Sequence, residues 1–293
     1  MKIADLPVEE LMLPGNRSCP GCGAALAYRH ALKALGPRTI VVVPAGCMTV
    51  LHGMYPRASV NVTVINTAFE TTAACASGIV AALEIQGRSD ITVLGWAGDG
   101  GTADIGIQAL SGAAERNANY IHVCYDNEAY MNTGTQRSGA TPQGIRTATT
   151  PGSGKLEPKK DMVAIMAAHR IPYIATACAA YPLDLFQKFQ RARSIYGTRY
   201  IHILCPCPPG WGYEPEEMIQ VGKQAVRSGI FPLFEIENGR LRFSPESRRE
   251  PAYDVEAYVR AQRRFREFSP QEIEQVRQQA RTLRQQLLAM PQG

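Results

Sequence analysis

Asp99 stands at the tip of a glycine turn in "VLGWAGDGGTADIG" (Val93 to Gly106), where an apolar strand gives way to a helix. Turns of this kind cradle phosphates, because bare backbone N–H groups and the positive helix end face the anion. A carboxylate at that tip repels a phosphate, so it needs a reason. One reading takes Gly98-x-Gly100-x-x-Ala103 as a loose dinucleotide fingerprint, with Asp126 ending the next strand as a ribose acid. That reading leaves Asp99 facing a pyrophosphate. A second reading removes the conflict with a cation: Asp99 binds Mg2+, and Mg2+ bridges to a diphosphate. Mg2+ takes hard oxygens in an octahedron, one or two from protein and the rest from phosphate and water. Asn127, 28 residues on, offers a second oxygen, and the backbone carbonyl of Ala129 a third. Gly98, Gly100 and Gly101 would leave the backbone bare for the diphosphate. The bland alternative is a glycine turn with a surface aspartate.

The eight cysteines divide in two. Cys75, Cys124 and Cys178 fall inside apolar stretches and read as small core residues. "CPGCG" (Cys19, Cys22), "AGC" (Cys47) and "CPCPPGW" (Cys205, Cys207) are loops beside glycine and proline. Three strand-end loops of a parallel sheet can meet at one point. Four thiolates meeting there bind Zn2+ or an iron–sulfur cluster, and spacing alone does not separate the two. A lone C-x-x-C also suits a thioredoxin-like pair.

The elements that must position these residues alternate. "TIVVVPAGC", "ITVLGWAGDGG", "NYIHVCYDNE", "PYIATACA" and "RYIHILCPCPPGW" read as strands. "TTAACASGIVAALEIQG", "ADIGIQALSGAAERN", "MVAIMAAHRI" and "YPLDLFQKFQRARSIYG" read as helices between them. This order predicts an α/β fold, a parallel sheet with helices on both faces. A Gly/Thr/Pro-rich loop from Asn132 to Lys160 is long enough to be functional. The expected organisation is a site-bearing domain over 1–213 and a C-terminal extension over 214–293, a hairpin ("FEIENGRLRF") and a polar helix, as a subunit contact. His52 reads as a surface or hydrogen-bonded histidine, "QRRFREF" as a solvated face, and Trp96 and Trp211 as packing beside the two key turns. His30, His122, His169 and His202 carry no chemistry in this reading.

Composition narrows the classes. A net charge of +5 on 293 residues with no basic run excludes nucleic acid as an expected partner. No apolar stretch reaches the ~18 residues of a membrane span, and the N-terminus lacks a signal core, so a cytoplasmic protein is expected.

Taken together, "CPGCG", "AGC", "AFETTAA", "GWAGDGGTADIGIQAL", "YDNEAYMNTGTQRSGATP", "CPCPPGW" and "FPLFEIENG", in that order, resemble the β subunits of pyruvate:ferredoxin oxidoreductases. These belong to the 2-oxoacid:ferredoxin oxidoreductase family. The resemblance implies the pyrophosphate-binding half of a thiamine diphosphate-binding fold. It implies thiamine diphosphate and Mg2+, with Asp99 and Asn127 as side-chain metal ligands. It implies a 4Fe-4S cluster on Cys19, Cys22, Cys47 and Cys207; Cys207 is chosen over Cys205 because the family's single cysteine there follows a proline. Asn132 and Thr133, in "MNTGTQ", fall beside the thiazolium and substrate, Asn132 with a catalytic role. Glu70, in "AFETTAA", matches an acid on the cofactor side of the cleft.

The implied reaction is coenzyme A-dependent oxidative decarboxylation of a 2-oxoacid, with electrons leaving singly through the cluster to ferredoxin. Pyruvate is the expected substrate; a branched-chain 2-oxoacid and oxalate stand as alternatives. The implied partners are an α subunit, supplying the activating glutamate and the pyrimidine-side wall, and a ferredoxin-like cluster subunit or domain. A rival of another class is a non-catalytic, zinc-stabilised scaffold subunit.

Overall fold

The computed structural model describes residues 2–293. The first half runs α1 (Gly23–Leu35), β1 (Thr39–Pro44), α2 (Cys47–His52), β2 (Thr63–Thr67), α3 (Thr72–Ile85), β3 (Thr92–Gly98), α4 (Ile107–Glu115) and β4 (Ile121–Asp126). Next come α5 (Met162–Ala168), β5 (Tyr173–Cys178), α6 (Pro182–Arg193), β6 (Arg199–Leu204), α7 (Pro208–Trp211) and α8 (Met218–Arg227). The chain closes with β7 (Phe234–Glu237), β8 (Arg240–Phe243), α9 (Pro245–Arg248), α10 (Val255–Arg260) and α11 (Pro270–Ala289). The eight strands form one sheet in the order β2-β1-β3-β4-β6-β5-β7-β8. The first six are parallel, and β7 and β8 add antiparallel at one edge.

β4, β5 and β6 are buried at every position, as strands covered on both faces must be. Their side chains alternate between two cores. On one face Val41, Trp96, Val123, Tyr125 and Ile201 pack against Tyr28 of α1 and Phe189 of α6. On the other Val42, Val93, Cys124 and Tyr200 meet Ala76 of α3, Leu110 of α4 and Met166 of α5. The expected α/β fold is therefore the observed one.

Differences from the sequence reading have local causes. β2 was not predicted because its residues are half-buried or exposed at a sheet edge and form no apolar run. α2 begins at Cys47, where the sequence suggested only a turn. The helix after the glycine turn starts at Ile107, because Gly100–Asp104 forms a π-helical turn. The expected hairpin forms around Asn238-Gly239 and extends the main sheet through β5, so residues 234–243 are structurally part of the sheet. No helix among the described residues is long and apolar enough to cross a membrane.

His52 is 1% exposed and packs on Tyr28, and neither ring nitrogen has a partner among the described residues. This corrects its reading as surface or hydrogen-bonded. Burial drives its imidazole down to about 4 and that of His122 to about 3. Both rings stay neutral in the folded chain over a range where the unfolded chain, with ordinary values near 6.5, takes up protons. Stability must then fall as pH drops from 6.5 toward 4, by up to about 1.4 kcal/mol per pH unit for each ring. His52→Phe should make that decline shallower in urea-denaturation midpoints between pH 6.5 and 4.5. An unchanged slope would mean that His52 is not a neutral buried group.

Candidate functional site: a glycine turn beside cysteine loops

After β1 the chain moves outward to β2, and after β3 it moves the other way to β4. The carboxyl ends of β1 and β3 therefore flank a crevice at a topological switch point, where open α/β sheets bind ligands. A cleft of about 240 Å³ occupies it, lined by Ala45, Gly46 and Cys47 after β1, Gly98–Gly101 after β3, and Asn127 and Ala129–Thr133 after β4. Asp99, Asn127, Asn132, Thr133 and the three expected glycines thus share one cleft with Cys47.

Asp99 is 1% exposed. Ser138, from the long loop, donates its hydroxyl to Asp99 Oδ2. Burial pushes the Asp99 carboxyl well above the ordinary range, and the charge of Asp126 pushes the same way, with Ser138 and Lys159 opposing. The Asn127 carboxamide lies 3.0 Å from Asp99 Oδ1 and 2.9 Å from the Ala129 carbonyl, and with its nitrogen on that side it donates to both. Asp99, Asn127 and the Ala129 carbonyl are thus brought together in the turn; a cation held by the same groups would be met by the amide oxygen instead.

The turn is wide because it is π-helical, a form common at functional sites. A Cβ on Gly100 would lie 2.2 Å from the Tyr130 ring, so only glycine lets that ring cover the turn. Tyr130 is held by donating to Asp104 Oδ2 at 2.7 Å, and the Gly139 N–H donates to the same oxygen at 3.0 Å.

The residues between β4 and the long loop are fixed by groups the sequence reading did not single out. Glu128 sits at φ +69°, in the left-handed region that costs a non-glycine residue about 1–2 kcal/mol. Its N–H donates to Asp126 Oδ1 at 2.9 Å, and Thr141 Oγ1 donates to its carbonyl at 2.7 Å. Lys159 contacts Glu128 Oε1 and Asp126 Oδ2, each at 2.6 Å. His202 Nε2 lies 2.9 Å from Asp126 Oδ2. Burial works against the Asp126 charge, but Lys159 and His202 outweigh it and hold that carboxyl well below the usual range. Arg264 corrects the reading of "QRRFREF" as solvated: its side chain is 5% exposed and reaches Glu128 Oε2. The flanking Arg263 and Arg266 are 75% exposed, so the apolar–charged pattern alone could not show which arginine turns inward.

The CPGCG loop docks on the last cysteine loop. The Gly23 N–H donates to the Pro206 carbonyl at 3.2 Å, and Gly23 is packed too tightly there for a Cβ. Cys22 caps α1, Cys47 opens α2 and Cys207 caps α7. The Ala25 N–H donates to the Cys22 sulfur at 3.5 Å. Burial raises all three thiols, Cys47 to about 11 and Cys207 to about 12, and ionisation of each neighbour would raise them further. For Cys207 those neighbours are Cys22, Cys47 and Cys19. Cys205 is buried in the core, 1% exposed, and burial pushes its thiol well up. No three His, Cys, Asp or Glu side chains converge tightly enough for one metal ion among the described residues. Glu70 does not line the cleft; its neighbour Phe69 does.

The family described as "Thiamine pyrophosphate enzyme, C-terminal TPP binding domain" matches residues 44–203. Fold and cleft thus define the pyrophosphate-binding domain of a thiamine pyrophosphate enzyme. The pyruvate synthase subunit PorB of Methanothermobacter marburgensis is 46% identical over 288 residues, 96% of this chain and 99% of that one. The ketoisovalerate oxidoreductase subunit VorB of Pyrococcus furiosus is 45% identical over 283 residues, 93% and 91% of the two chains. Among solved structures, a 2-oxoglutarate:ferredoxin oxidoreductase from Magnetococcus marinus aligns with TM-score 0.59 and 27% identity, over 71% of this chain and 68% of that one. The chain belongs to the 2-oxoacid:ferredoxin oxidoreductase family, among its pyruvate synthase-type β subunits.

Packing at the turn sets a direct test. Gly100→Ala should cost about 1–3 kcal/mol, as overpacking does. Gly78→Ala, in α3 with open space around it, should be neutral or stabilise by up to about 1 kcal/mol. Equal denaturation midpoints for the two variants would show that Tyr130 does not depend on the bare Gly100 backbone.

Proposed function

We propose that this chain grips thiamine diphosphate through Mg2+ and carries a 4Fe-4S cluster, within a coenzyme A-dependent pyruvate:ferredoxin oxidoreductase. The observation that carries the reading is that Asp99 and Cys47 line the same cleft, so anion grip and electron exit share one wall.

The residues present fit the metal. Asp99 Oδ1 and the Ala129 carbonyl lie 3.0 and 2.9 Å from one end of the Asn127 carboxamide, so these groups are near enough to share one small cation that prefers hard oxygen ligands. Asp99, Asn127 and the Ala129 carbonyl would hold the ion, and Ser138 fixes which Asp99 oxygen is free to do so. Gly98, Gly100 and Gly101 leave the backbone open to the diphosphate, and Asn132 and Thr133 bound the reacting end. The thiols fit a cluster better than a zinc: one zinc draws four sulfurs to a point at about 2.3 Å each, whereas a cubane takes one thiolate at each of four iron corners. Cys19, Cys22, Cys47 and Cys207 would be those ligands. The Ala25 N–H on Cys22 stabilises sulfur charge, as the outer shell of such a site does.

When bound, thiamine diphosphate supplies a nucleophilic carbon that lets a 2-oxoacid lose CO2 and yield two electrons, one at a time, to the cluster. The chain's part is to anchor the diphosphate, position the reacting end against Asn132, and keep Cys47 beside it. A cleft of 240 Å³ is smaller than the roughly 300–1,000 Å³ usual for a whole small-molecule site. The remaining wall, with the glutamate that activates the pyrimidine, is assigned to an α subunit; Glu70 would act only from that open side. Ferredoxin, reached through a ferredoxin-like cluster subunit or domain, is the proposed electron acceptor, and coenzyme A the acyl acceptor.

A branched-chain 2-oxoacid is a second reading with its own support. This chain is 45% identical to the ketoisovalerate oxidoreductase subunit of Pyrococcus furiosus and 40% identical to the pyruvate synthase subunit of the same organism. Coenzyme A-dependent dye reduction by the purified complex, with pyruvate, 2-oxoisovalerate and oxalate in parallel, decides between them.

Asp99→Ala should weaken Mg2+-dependent thiamine diphosphate binding more than about 100-fold in calorimetry, since losing even an outer-shell partner costs 10–100-fold. Wild-type affinity would remove the metal role. Cys207→Ser should lose about four irons per chain, the content of one cubane, and Cys205→Ser should keep them. The reverse result would move the ligand by two residues, and one zinc without iron would favour the scaffold reading.

A further inference from the structure

Glu128 stands between Asn127, whose carboxamide contacts Asp99 Oδ1, and Ala129, whose carbonyl contacts the same carboxamide. Its backbone is left-handed, a conformation that glycine or asparagine would take at lower cost. The chain places a glutamate there, and both carboxylate oxygens are engaged. Lys159 Nζ donates to Oε1 at 2.6 Å. Arg264 makes a charge contact with Oε2 at 2.6 Å, without the alignment of a hydrogen bond.

Arg264 is itself locked. Its Nε donates to Gln262 Oε1 at 2.8 Å and a terminal nitrogen to Tyr258 Oη at 3.1 Å. Its guanidinium lies 3.7 Å from the centre of the Trp211 ring, within cation–π range. Trp211 ends the helix capped by Cys207, and its Nε1 donates to the Asn127 carbonyl at 2.8 Å. Three side chains therefore close a circuit. Glu128 sets the backbone between Asn127 and Ala129, Arg264 pins Glu128, and Trp211 joins both to the Cys207 loop.

We propose that Glu128, Arg264 and Trp211 are positioning residues for the metal site, a clamp from the C-terminal segment that fixes the Asn127 and Ala129 oxygens and ties them to the cysteine cluster loop. The inference rests on the Mg2+ reading of the cleft and goes beyond it, because none of the three touches the ion. The sheet alone does not achieve this: β4 ends at Asp126, and the next residues leave the ladder. Arg264 arrives from a segment 138 residues further along the chain than Asp126, so the metal turn is completed only once the C-terminal segment has folded over it.

The test is a calorimetric Mg2+ titration, at fixed thiamine diphosphate, of the purified complex stripped of metal and cofactor. Glu128→Gly adopts φ +69° freely, so it keeps the turn and loses the anchor. Its half-saturating Mg2+ should rise about tenfold or more, in the range that outer-shell losses produce. Arg264→Ala should do the same, and Arg264→Lys, which restores the charge without the planar stack, should recover part of the loss. Trp211→Phe keeps a ring and removes the donor, and should raise the same concentration several-fold. Should Glu128→Gly not assemble, Glu128→Gln reads the same contact at constant size. Half-saturation within twofold of wild type in Glu128→Gly and Arg264→Ala, even with a lowered thermal midpoint, would overturn the proposal and leave these residues a structural role only. A wild-type complex with no Mg2+ dependence at all would instead remove the metal reading on which it rests.

Discussion

A carboxylate buried in a glycine turn is the constraint around which this chain is arranged. Asp99 is 1% exposed, and the Asn127 carboxamide bridges its Oδ1 and the Ala129 carbonyl. A carboxylate in a low-dielectric site needs hydrogen-bond donors, a proton or a compensating positive charge. The neighbouring groups hold it in place. Ser138 takes the other Asp99 oxygen, Tyr130 covers a turn that only glycine allows, and Lys159 and Arg264 hold the acidic side chains around Glu128. Burial, with the Asp126 charge, raises the Asp99 carboxyl, so a proton is favoured there for the reason a cation would be.

The topology explains why this knot lies next to thiols. β1 and β3 are hydrogen-bonded neighbours, with Thr39 opposite Thr92 and Val42 opposite Gly95. Their carboxyl ends must emerge side by side, the first leading to Cys47 and the second to Asp99. β6 pairs with β4 on the other side, so the Cys205–Trp211 loop emerges next to Asn127. Four loops from the four neighbouring strands β1, β3, β4 and β6 thus meet without any long excursion of the chain. The Trp211 indole on the Asn127 carbonyl is a direct consequence of that register.

Much of this could be read from the residues in order. The alternation of β-branched runs with small-residue helices predicted the parallel sheet, because both are local patterns that burial on two faces requires. That Asp99, Asn127 and Ala129 share one cleft was legible, because a carboxylate on a phosphate turn calls for partners close by. The support was not legible. Nothing local distinguishes Arg264 from Arg263 or Arg266; only the tertiary position of Trp211 and Glu128 selects it. Ser138 lay in a loop that its length marked as functional, but its partner is 39 residues away. β2 lacks the burial that makes a strand visible, and the hairpin's attachment to β5 is a pairing choice that its own sequence does not contain. Glu70, named by resemblance, does not line the cleft of this chain, although its neighbour Phe69 does.

On the proposed function, the division of labour between chains follows from which distances must be fixed. Moving electrons singly from a substrate to a cluster requires the two to stay close through every turnover. A rigid sheet does this best, with Cys47 and Asp99 held by adjacent strands and the loops cross-braced by Trp211 and Arg264. Activating the cofactor's pyrimidine requires only that a glutamate arrive when the cleft is closed, and a second subunit can deliver that. Buried thiols with raised proton affinity add a condition to that reading: each would have to give up its proton to ligate iron, and the iron's positive charge would offset part of the negative charge left on the sulfurs. The loops of Cys22, Cys47 and Cys207, on the side that borders the proposed diphosphate grip, would then be tied together by the cluster.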